Sequence, residues 1–313
     1  MNRAVAYIDI LGFTSYVDKN IQDAITVMSN ANDIISILFY EKTVHPSDGY
    51  DPSLQELALR NSIESIDDYL PFSDSVFLSS SNPSQFLLQL GSFLSKAFLY
   101  TANIYTKPKE LSRPTESVVI STSVDEGGHL FAVKTKIHVP PVLFRGGVTY
   151  GEVERLSPMA IVNGIATNQC VLVGDTVVRA VSLEKSIKGP RIIFEDDLYS
   201  QLNTNTKKYC RRIPGDLSKY ELLWPAMGYI ANDRYEHEFH IFSDFFDPAY
   251  NLWLAFKNDV NVEIQYRKFL ELIIVSTLSA YDTIWNKRAF AAEKILLSIR
   301  GKSGISMLED LLV

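Results

Sequence analysis

The first candidate for chemistry is an aspartate at the end of a predicted strand. Residues 4–8 are strand-forming, Asp9 follows them, and Gly12 lies just beyond in the segment AVAYIDILGFTSY. A carboxylate at a strand end supplies hard oxygen ligands for Mg²⁺ or Mn²⁺. Backbone N–H groups at the start of a following helix favour an anion. The stretch therefore predicts a site for metal ions and phosphates, although a core strand with an ordinary turn and a capping group has the same pattern.

A second aspartate lies in a predicted hairpin. Residues 67–80, DDYLPFSDSVFLSS, indicate a strand, a tight turn near 71–75 that contains Asp74, and a second strand at 76–78. If this hairpin lies beside the first strand, Asp9 and Asp74 face each other at neighbouring strand ends. An ordinary turn aspartate is the alternative, because Asp favours turns.

An arginine next to two glycines is the third candidate. Residues 142–153, VLFRGGVTYGEV, alternate as a strand does, and the glycines predict a bulge or a close backbone approach. Arg145 in this strand would add charge-assisted contacts to phosphate oxygens. Its alternative role is a strand-end arginine that only extends its charged group into solvent.

Several further elements must position these residues. Apolar residues that recur every three or four positions between 17 and 38 predict an amphipathic helix. Glycine-linked β-rich runs predict a hairpin near 117–139. Residues 155–170 are interpreted as a loop facing the active site. The remaining predicted elements are helices at 83–98, 174–187, 196–201, 259–284 and 286–300 and a strand at 192–194.

Composition excludes several classes of protein. The chain has 313 residues, of which 46% are hydrophobic and 21% charged, as in globular proteins. A net charge of −7 argues against a broad nucleic-acid surface. Cys170 and Cys210 are too few for a disulfide framework or a zinc cluster and agree with a reducing cytoplasm. With no leader sequence and no apolar run long enough to span a membrane, we expect a cytoplasmic protein.

Four segments resemble the catalytic domain of class III nucleotidyl cyclases, and more narrowly the bacterial pyrimidine cyclases of anti-phage defence. They are YIDILGFT at 7–14, FSDSVFL at 72–78, FRGGVTYGEV at 144–153 and GDTVVRAVSLEKSIKGPRI at 174–192. The resemblance implies an α+β, ferredoxin-like domain with a central, mostly antiparallel sheet and helices. It also implies a homodimer. We expect a catalytic domain at 1–203 with a hairpin insertion at about 106–139, and an aromatic and helical extension at 204–313 packed on it.

The resemblance also implies the metal site. Asp9 and Asp74 match the two metal-binding aspartates of the family, and Ile10 would give a backbone carbonyl to one metal ion. Two Mn²⁺ or Mg²⁺ ions per site are expected.

The same resemblance implies which residues contact the nucleotide. Gly12, Phe13 and Thr14 would present backbone N–H groups to the triphosphate, and Arg145 matches an arginine that contacts phosphate. Tyr69 is the candidate for reading a pyrimidine base.

The chain departs from the purine cyclases of this class at four positions. Leu70 and Val171 replace their base-reading residues, and Val178 and Ser182 replace their transition-state asparagine and arginine. Arg179 lies on a different helix face from Ser182 and is only suggested as a substitute. The departures favour a pyrimidine substrate, and they also allow a catalytically weak or inactive protein.

The sequence thus predicts a cyclase that converts UTP to cyclic UMP and acts with an effector that binds the product. CTP is the alternative substrate. A catalytically inactive nucleotide-binding module on the same fold and a phosphotransfer enzyme with an Asp9 nucleophile are the rival functions. Glu184 is interpreted as a structural helix residue rather than a base.

Overall fold

A computed structural model describes residues 1–13, 65–102, 116–124, 130–138, 141–162, 165–168, 170–230 and 239–312, with scattered positions between 17 and 31. The strands in this part of the chain are β1 Asn2–Ile10, β2 Asp68–Phe72, β3 Ser75–Ser80, β4 Glu116–Val124, β5 Leu130–His138, β6 Phe144–Glu152, β7 Glu154–Leu156, β8 Met159–Val162, β9 Ile165–Asn168, β10 Val171–Val173, β11 Ile192–Glu195, β12 Cys210–Ile213 and β13 Asp216–Leu222. The helices are α1 Pro83–Ala102, α2 Asp175–Lys185, α3 Asp196–Gln201, α4 Thr204–Lys207, α5 Ala226–Ile230, α6 His240–Phe256, α7 Val260–Trp285, α8 Arg288–Arg300 and a 3₁₀ helix at Ser306–Leu312.

A seven-stranded sheet in the order β12-β13-β11-β6-β1-β3-β2 is the centre of the fold. Neighbouring strands are antiparallel except β6 and β11, which are parallel. The predicted fold class, α+β with a mostly antiparallel sheet and helices, is confirmed. β1 lies inside the sheet, between β6 and β3, so both of its edges are hydrogen-bonded.

The two faces of β1 pack against different layers. Ala4, Ala6 and Ile8 belong to the main hydrophobic core, whereas Val5 and Tyr7 belong to a smaller cluster that includes residues of α2. Successive side chains of a strand point to opposite faces. Asp9 therefore lies on the α2 face of the sheet, in line with Val5 and Tyr7.

Glycines in β6 let α2 approach the sheet closely. A Cβ atom on Gly147 would lie 2.3 Å from the carbonyl oxygen of Ala180, and one on Gly151 would lie 2.7 Å from Thr176 Oγ1. At 147 the conflict is with the helix backbone, so no side chain fits there without a shift of the helix, whereas at 151 it is with the side chain of Thr176. The close backbone approach predicted from the paired glycines is confirmed.

The chain after residue 203 adds two strands to the sheet and a helical layer. β13 pairs with β11, and the buried Trp224 donates its indole N–H to the carbonyl oxygen of Pro190 at 2.8 Å. Aromatic side chains, among them Phe245 and Phe269, fill the core beneath α6 and α7. The C-terminal helices are confirmed, and the boundary at 203 stays a prediction.

The predicted hairpin near 117–139 is confirmed, since β4 and β5 pair antiparallel as a separate two-stranded sheet. The predicted loop at 155–170 is wrong, because β7 pairs with β10 and β8 pairs with β9. The described positions between 17 and 31 are helical, and Ala24, Val27 and Ala31 are buried. Among the described residues, no helix combines the length and the apolar character needed to cross a bilayer.

Candidate active site

Two strand ends bring Asp9 and Asp74 together. The backbone N–H of Ile10 donates to the carbonyl oxygen of Asp74 at 3.0 Å. In the register of β1 and β3, Asp9 is the partner of Ser75, which directly follows Asp74. Both carboxylates are half-buried. The structure therefore places the two residues next to each other at neighbouring strand ends, close enough for Asp74 to raise the pKa of Asp9 by repulsion, as the hairpin pattern predicts.

Arg145 joins these acids from the other neighbouring strand. It is the register partner of Asp9 in the β1–β6 ladder, and its Nη2 lies 3.6 Å from Asp9 Oδ2. Its Nε contacts Oε1 of Glu184, a residue of α2 whose side chain is only 3% exposed. We call Asp9, Asp74, Arg145 and Glu184 the acidic site.

The acidic site contains more negative than positive charge. The pKa of Asp9 is raised to about 6: burial is the largest cause, repulsion from Asp74 and Glu184 adds to the rise, and Arg145 opposes it. Burial also raises the pKa of Glu184, and Arg145 and Lys185 oppose that shift. Three carboxylates share one arginine, and the uncompensated charge favours binding of a cation.

Tyr7 extends the site along β1. Burial raises the pKa of its phenol, a hydrogen bond with Ser75 opposes the rise, and Asp9, Glu184 and Asp74 add to it by repulsion. Its ring lies 4.8 Å from that of Phe77, centroid to centroid. The phenol is thus a neighbour of the three carboxylates and could donate a hydrogen bond to an oxygen bound there.

The donor set suits a hard divalent cation. Carboxylate and carbonyl oxygens are the ligands that Mg²⁺ and Mn²⁺ prefer. Within the described ranges, no group of three or more His, Cys, Asp or Glu side chains is arranged to hold a metal ion. The predicted ligands are fewer, namely the carboxylates of Asp9 and Asp74 and the carbonyl of Ile10. Burial of Asp9 and repulsion from Asp74 and Glu184 both disfavour its charged form, and a bound cation would offset both, so these residues fit a cation.

The turn after β1 continues toward a helix start. Gly12 has φ +81°, in the left-handed region that favours glycine, and a Cβ there would meet nothing within 4 Å. Phe13 is the first helical residue and packs partly against the main core. Thr14 lies outside the described residues. The geometry around Gly12 and Phe13 is compatible with the predicted phosphate contact, which stays a prediction.

The structure does not bring Tyr69 to the acidic site. Tyr69 pairs with Leu78 in the β2–β3 ladder and packs against the main core, on the face of the sheet opposite to Asp9. Burial raises the pKa of its phenol. Leu70 lies on the α2 face instead, with Phe77. A base contact by Tyr69 therefore stays a prediction, and within one chain Tyr69 does not face the acidic site.

Arg179 is committed to other groups. Its guanidinium forms ion pairs with Asp175 and Glu195 at 3.1 Å each and with Asp197 at 2.7 Å. It also donates to the carbonyl oxygen of Tyr150 at 3.0 Å. These contacts do not support its suggested role as a substitute for the missing transition-state arginine.

Sequence reasoning missed Glu184 as a member of the site. The signal was an acid on the buried face of α2, four positions after Ala180 and one after Leu183, both of which are buried. A carboxylate among such positions needs a charged partner. The pattern predicts that a partner exists, but Arg145 is far away in the sequence and is found only in the fold.

A second set of charges lies at the opposite end of the same face. Arg3 pairs with Asp67 at 2.6 Å, and Arg155 pairs with the buried Asp68 at 3.1 Å. Asp68 also accepts a hydrogen bond from the hydroxyl of Ser79. We call Arg3, Asp67, Asp68 and Arg155 the paired cluster. Its two acids have two arginines.

No protein-family model matches the chain, and no curated protein matches it. Among solved structures, the chain is similar to guanylyl and adenylyl cyclase domains. The dimeric guanylyl cyclase domain of the RhoGC fusion protein of Blastocladiella emersonii is 15% identical, with 71% of this chain and 96% of that chain covered and a TM-score of 0.37. The guanylate cyclase domain of Catenaria anguillulae in complex with GTP is 15% identical, covers 71% and 95%, and has a TM-score of 0.37. The adenylyl cyclase CyaB of P. aeruginosa is 16% identical, covers 71% and 93%, and has a TM-score of 0.36. At TM-scores this low, these likenesses carry no functional argument by themselves.

Proposed function

We propose that the protein is a nucleotidyl cyclase that converts UTP to 3′,5′-cyclic UMP and pyrophosphate. One observation carries the proposal: Asp9 and Asp74 lie side by side at neighbouring strand ends, with Arg145 directly across from Asp9 in the next strand. Two acids and one arginine in this arrangement suit a metal-bound triphosphate. The four segments that resemble class III cyclases contain all three residues.

The reaction forms one phosphorus–oxygen bond and breaks another. The 3′-oxygen of the ribose attacks the α-phosphorus, the bond to the β-phosphate breaks, pyrophosphate leaves, and the hydroxyl proton passes to solvent. Divalent cations bound at such a site lower the pKa of the hydroxyl and offset the charge of the leaving group. Asp9 and Asp74 would hold these cations, and Arg145 would donate to phosphate oxygens. Positioning and electrostatics supply most of the catalysis.

The choice of a pyrimidine rests on the departures from the purine pattern. Leu70 and Val171 have aliphatic side chains where a purine-reading site has hydrogen-bonding groups. In the pyrimidine cyclases that the four segments resemble, these positions also differ from the purine pattern, and this resemblance is what favours UTP. CTP is the alternative substrate. The proposal includes a homodimer in which each site takes residues from both chains, and an effector of anti-phage defence that binds the product.

The test is to identify the product. Purified protein is incubated with Mn²⁺ and an equal mixture of the four ribonucleoside triphosphates, and the products are identified by mass spectrometry. Cyclic UMP is the expected product, and the Asp74→Asn variant serves as the control that retains the shape of the hairpin turn. Binding of the triphosphates without any cyclic product would contradict the proposal.

A nucleotide-binding module without catalysis is the second candidate. It is favoured by Val178, which is 63% exposed, and by Ser182, whose hydroxyl donates to the Val178 carbonyl of its own helix at 3.0 Å. Neither side chain offers a charge to a transition state. In that case Asp9→Ala would leave the biological activity intact, whereas an enzyme would lose it.

A further inference from the structure

We infer that Glu184 is a positioning residue that holds Arg145 in the orientation needed to bind the triphosphate. The inference rests on the proposed function, because it assigns a role within the same site. It differs from the sequence interpretation, in which Glu184 only supports its helix.

The contacts of Arg145 divide its guanidinium into two parts. Nε contacts Glu184 Oε1, whereas Nη2 lies 3.6 Å from Asp9 Oδ2. A separation of 3.6 Å is an ion pair but not a hydrogen bond. Glu184 therefore anchors the inner part of the guanidinium, and the terminal N–H groups on the Asp9 side are not locked by a short contact. Those groups are the ones that a phosphate oxygen can accept from.

Burial makes this anchor rigid. The Glu184 side chain is 3% exposed and that of Arg145 is 27% exposed, so water competes little for the pair. A buried carboxylate without its cation would be costly, which favours one geometry of the pair over all others. An arginine with a fixed Nε loses less conformational entropy when it binds a second anion.

Glu184 also limits the attraction between Arg145 and Asp9. Without the carboxylate of Glu184, the nearest anion for the guanidinium is Asp9, at 3.6 Å. A closer Arg145–Asp9 pair would turn the guanidinium away from phosphate and occupy the carboxylate that the proposed cation needs. Glu184 thus holds Arg145 back from Asp9 as well as directing it toward phosphate.

The backbone of the sheet sets the position of Glu184. A Cβ atom on Gly147 would lie 3.0 Å from the backbone nitrogen of Glu184 and 2.3 Å from the carbonyl oxygen of Ala180. Any larger residue at 147 would therefore push this turn of α2 away from β6. Gly147 in β6 therefore lets α2 lie close enough to the sheet to place the Glu184 carboxylate against Arg145.

The experiment is a double-mutant cycle between Glu184→Gln and Arg145→Ala. Steady-state kinetics with UTP and Mn²⁺ and calorimetric binding of inorganic tripolyphosphate with Mn²⁺ are measured for both single variants and the double variant. We expect Glu184→Gln to raise KM and to weaken tripolyphosphate binding by roughly 10- to 100-fold, because the guanidinium loses the buried ion pair that orients it. In the Arg145→Ala background the same change should have almost no further effect, because the residue acts through Arg145.

Glu221→Gln is the matched control. Glu221 is also fully buried and also paired with arginines, Arg191 and Arg211, but it lies in β13. Its loss should lower the melting temperature and leave KM and tripolyphosphate affinity unchanged. Glu184→Asp, which keeps the charge, should recover part of the affinity that Glu184→Gln loses.

Two results would overturn the inference. The first is Glu184→Gln with the melting behaviour of Glu221→Gln but wild-type KM and tripolyphosphate affinity, which is the signature of a purely structural residue. The second is that the effects of Glu184→Gln and Arg145→Ala on tripolyphosphate affinity add fully in the double variant. The failure of the proposed function is distinguishable, because a wild-type protein that binds tripolyphosphate through Arg145 and Glu184 but forms no cyclic nucleotide contradicts the cyclase alone.

Discussion

The two ends of β1 hold charged residues of the same kinds in different proportions. At one end, the acidic site has three carboxylates and one arginine, and the pKa of Asp9 rises to about 6. At the other end, the paired cluster has two carboxylates and two arginines, and Asp68 accepts from Ser79 as well. The ends are separated by roughly 20 Å of strand, at about 3.3 Å per residue.

The difference shows that one face of a sheet can carry charges that only stabilise the fold at one end and charges that are available to a ligand at the other. The paired cluster compensates its own charges, so nothing outside the protein is required there. The acidic site leaves negative charge uncompensated at the end of a well-packed strand, which is unfavourable for folding unless a cation binds. An excess of one charge in a rigid place is therefore a better sign of a ligand site than burial of charge alone.

Among the changes that test this comparison, Asp9→Asn should have the largest effect, a loss of catalysis. We expect kcat/KM for cyclase activity to fall by about three orders of magnitude, because the variant removes a charged ligand worth several kcal/mol of transition-state stabilisation. Divalent cations should raise the melting temperature of the wild type and not that of the variant. Activity close to that of the wild type would show that Asp9 has no catalytic role.

The corresponding change at the other end, Asp68→Asn, should affect stability instead. The variant leaves Arg155 without its charged partner and weakens the Ser79 hydrogen bond, and we expect the free energy of unfolding to fall by about 2 kcal/mol. Urea unfolding provides the measurement, and KM for the nucleotide should stay unchanged. A catalytic defect larger than the loss of folded protein would show that the two ends are not separate in role.

The pH dependence of stability sharpens the comparison further. In cation-free buffer the folded protein binds the proton of Asp9 more tightly than the unfolded chain does, because the pKa of Asp9 is about 6 rather than 3.8. The free energy of unfolding should therefore fall as the pH rises from about 4 to about 7, by ~1–2 kcal/mol after allowance for solvent screening. Urea titrations across this range measure the fall. Asp9→Asn should reduce it, leaving the smaller part due to Glu184, whose pKa is also raised, while Asp68→Asn should retain it in full.

The smallest expected effect concerns the turn that holds Asp74. Ser73 has φ +56°, which L-residues rarely adopt, and it lies between β2 and β3 at the acidic site. Ser73→Gly should raise the free energy of unfolding by about 0.5–1 kcal/mol because glycine adopts this conformation without strain. Asn286→Gly, at the C-terminal cap of α7 with φ +54°, is the control and should gain less, since asparagine tolerates this region. An equal gain in the free energy of unfolding at both positions would show that Ser73 is no more strained than Asn286.

The local parts of the site were readable from the sequence, and the distant parts were not. A strand that ends in Asp9 and a turn that contains Asp74 are patterns within a few residues, and the structure places them as those patterns predict. Arg3 and Asp67 are 64 residues apart, so no local pattern indicates their ion pair. Glu184 was missed for the same reason.

Short strands explain the main error in the fold prediction. β7 and β10 have three residues each, and β8 and β9 have four. Strands of this length have too few positions to establish a period of two, so residues 155–170 have the sequence pattern of a loop. The longer elements around the site, β1, β6 and α2, have clear periodicity and were predicted.

The pairing of β13 with β11 has a consequence for how the chain can be shortened or synthesised. Until Leu222 has been made, β11 has an unpaired outer edge, because its other neighbour, β6, is already in place. Exposed edges of this kind pair with other chains. A fragment cut at residue 203 would contain every residue of the acidic site and still tend to aggregate. A nascent chain on the ribosome is exposed to the same hazard until β12 and β13 emerge.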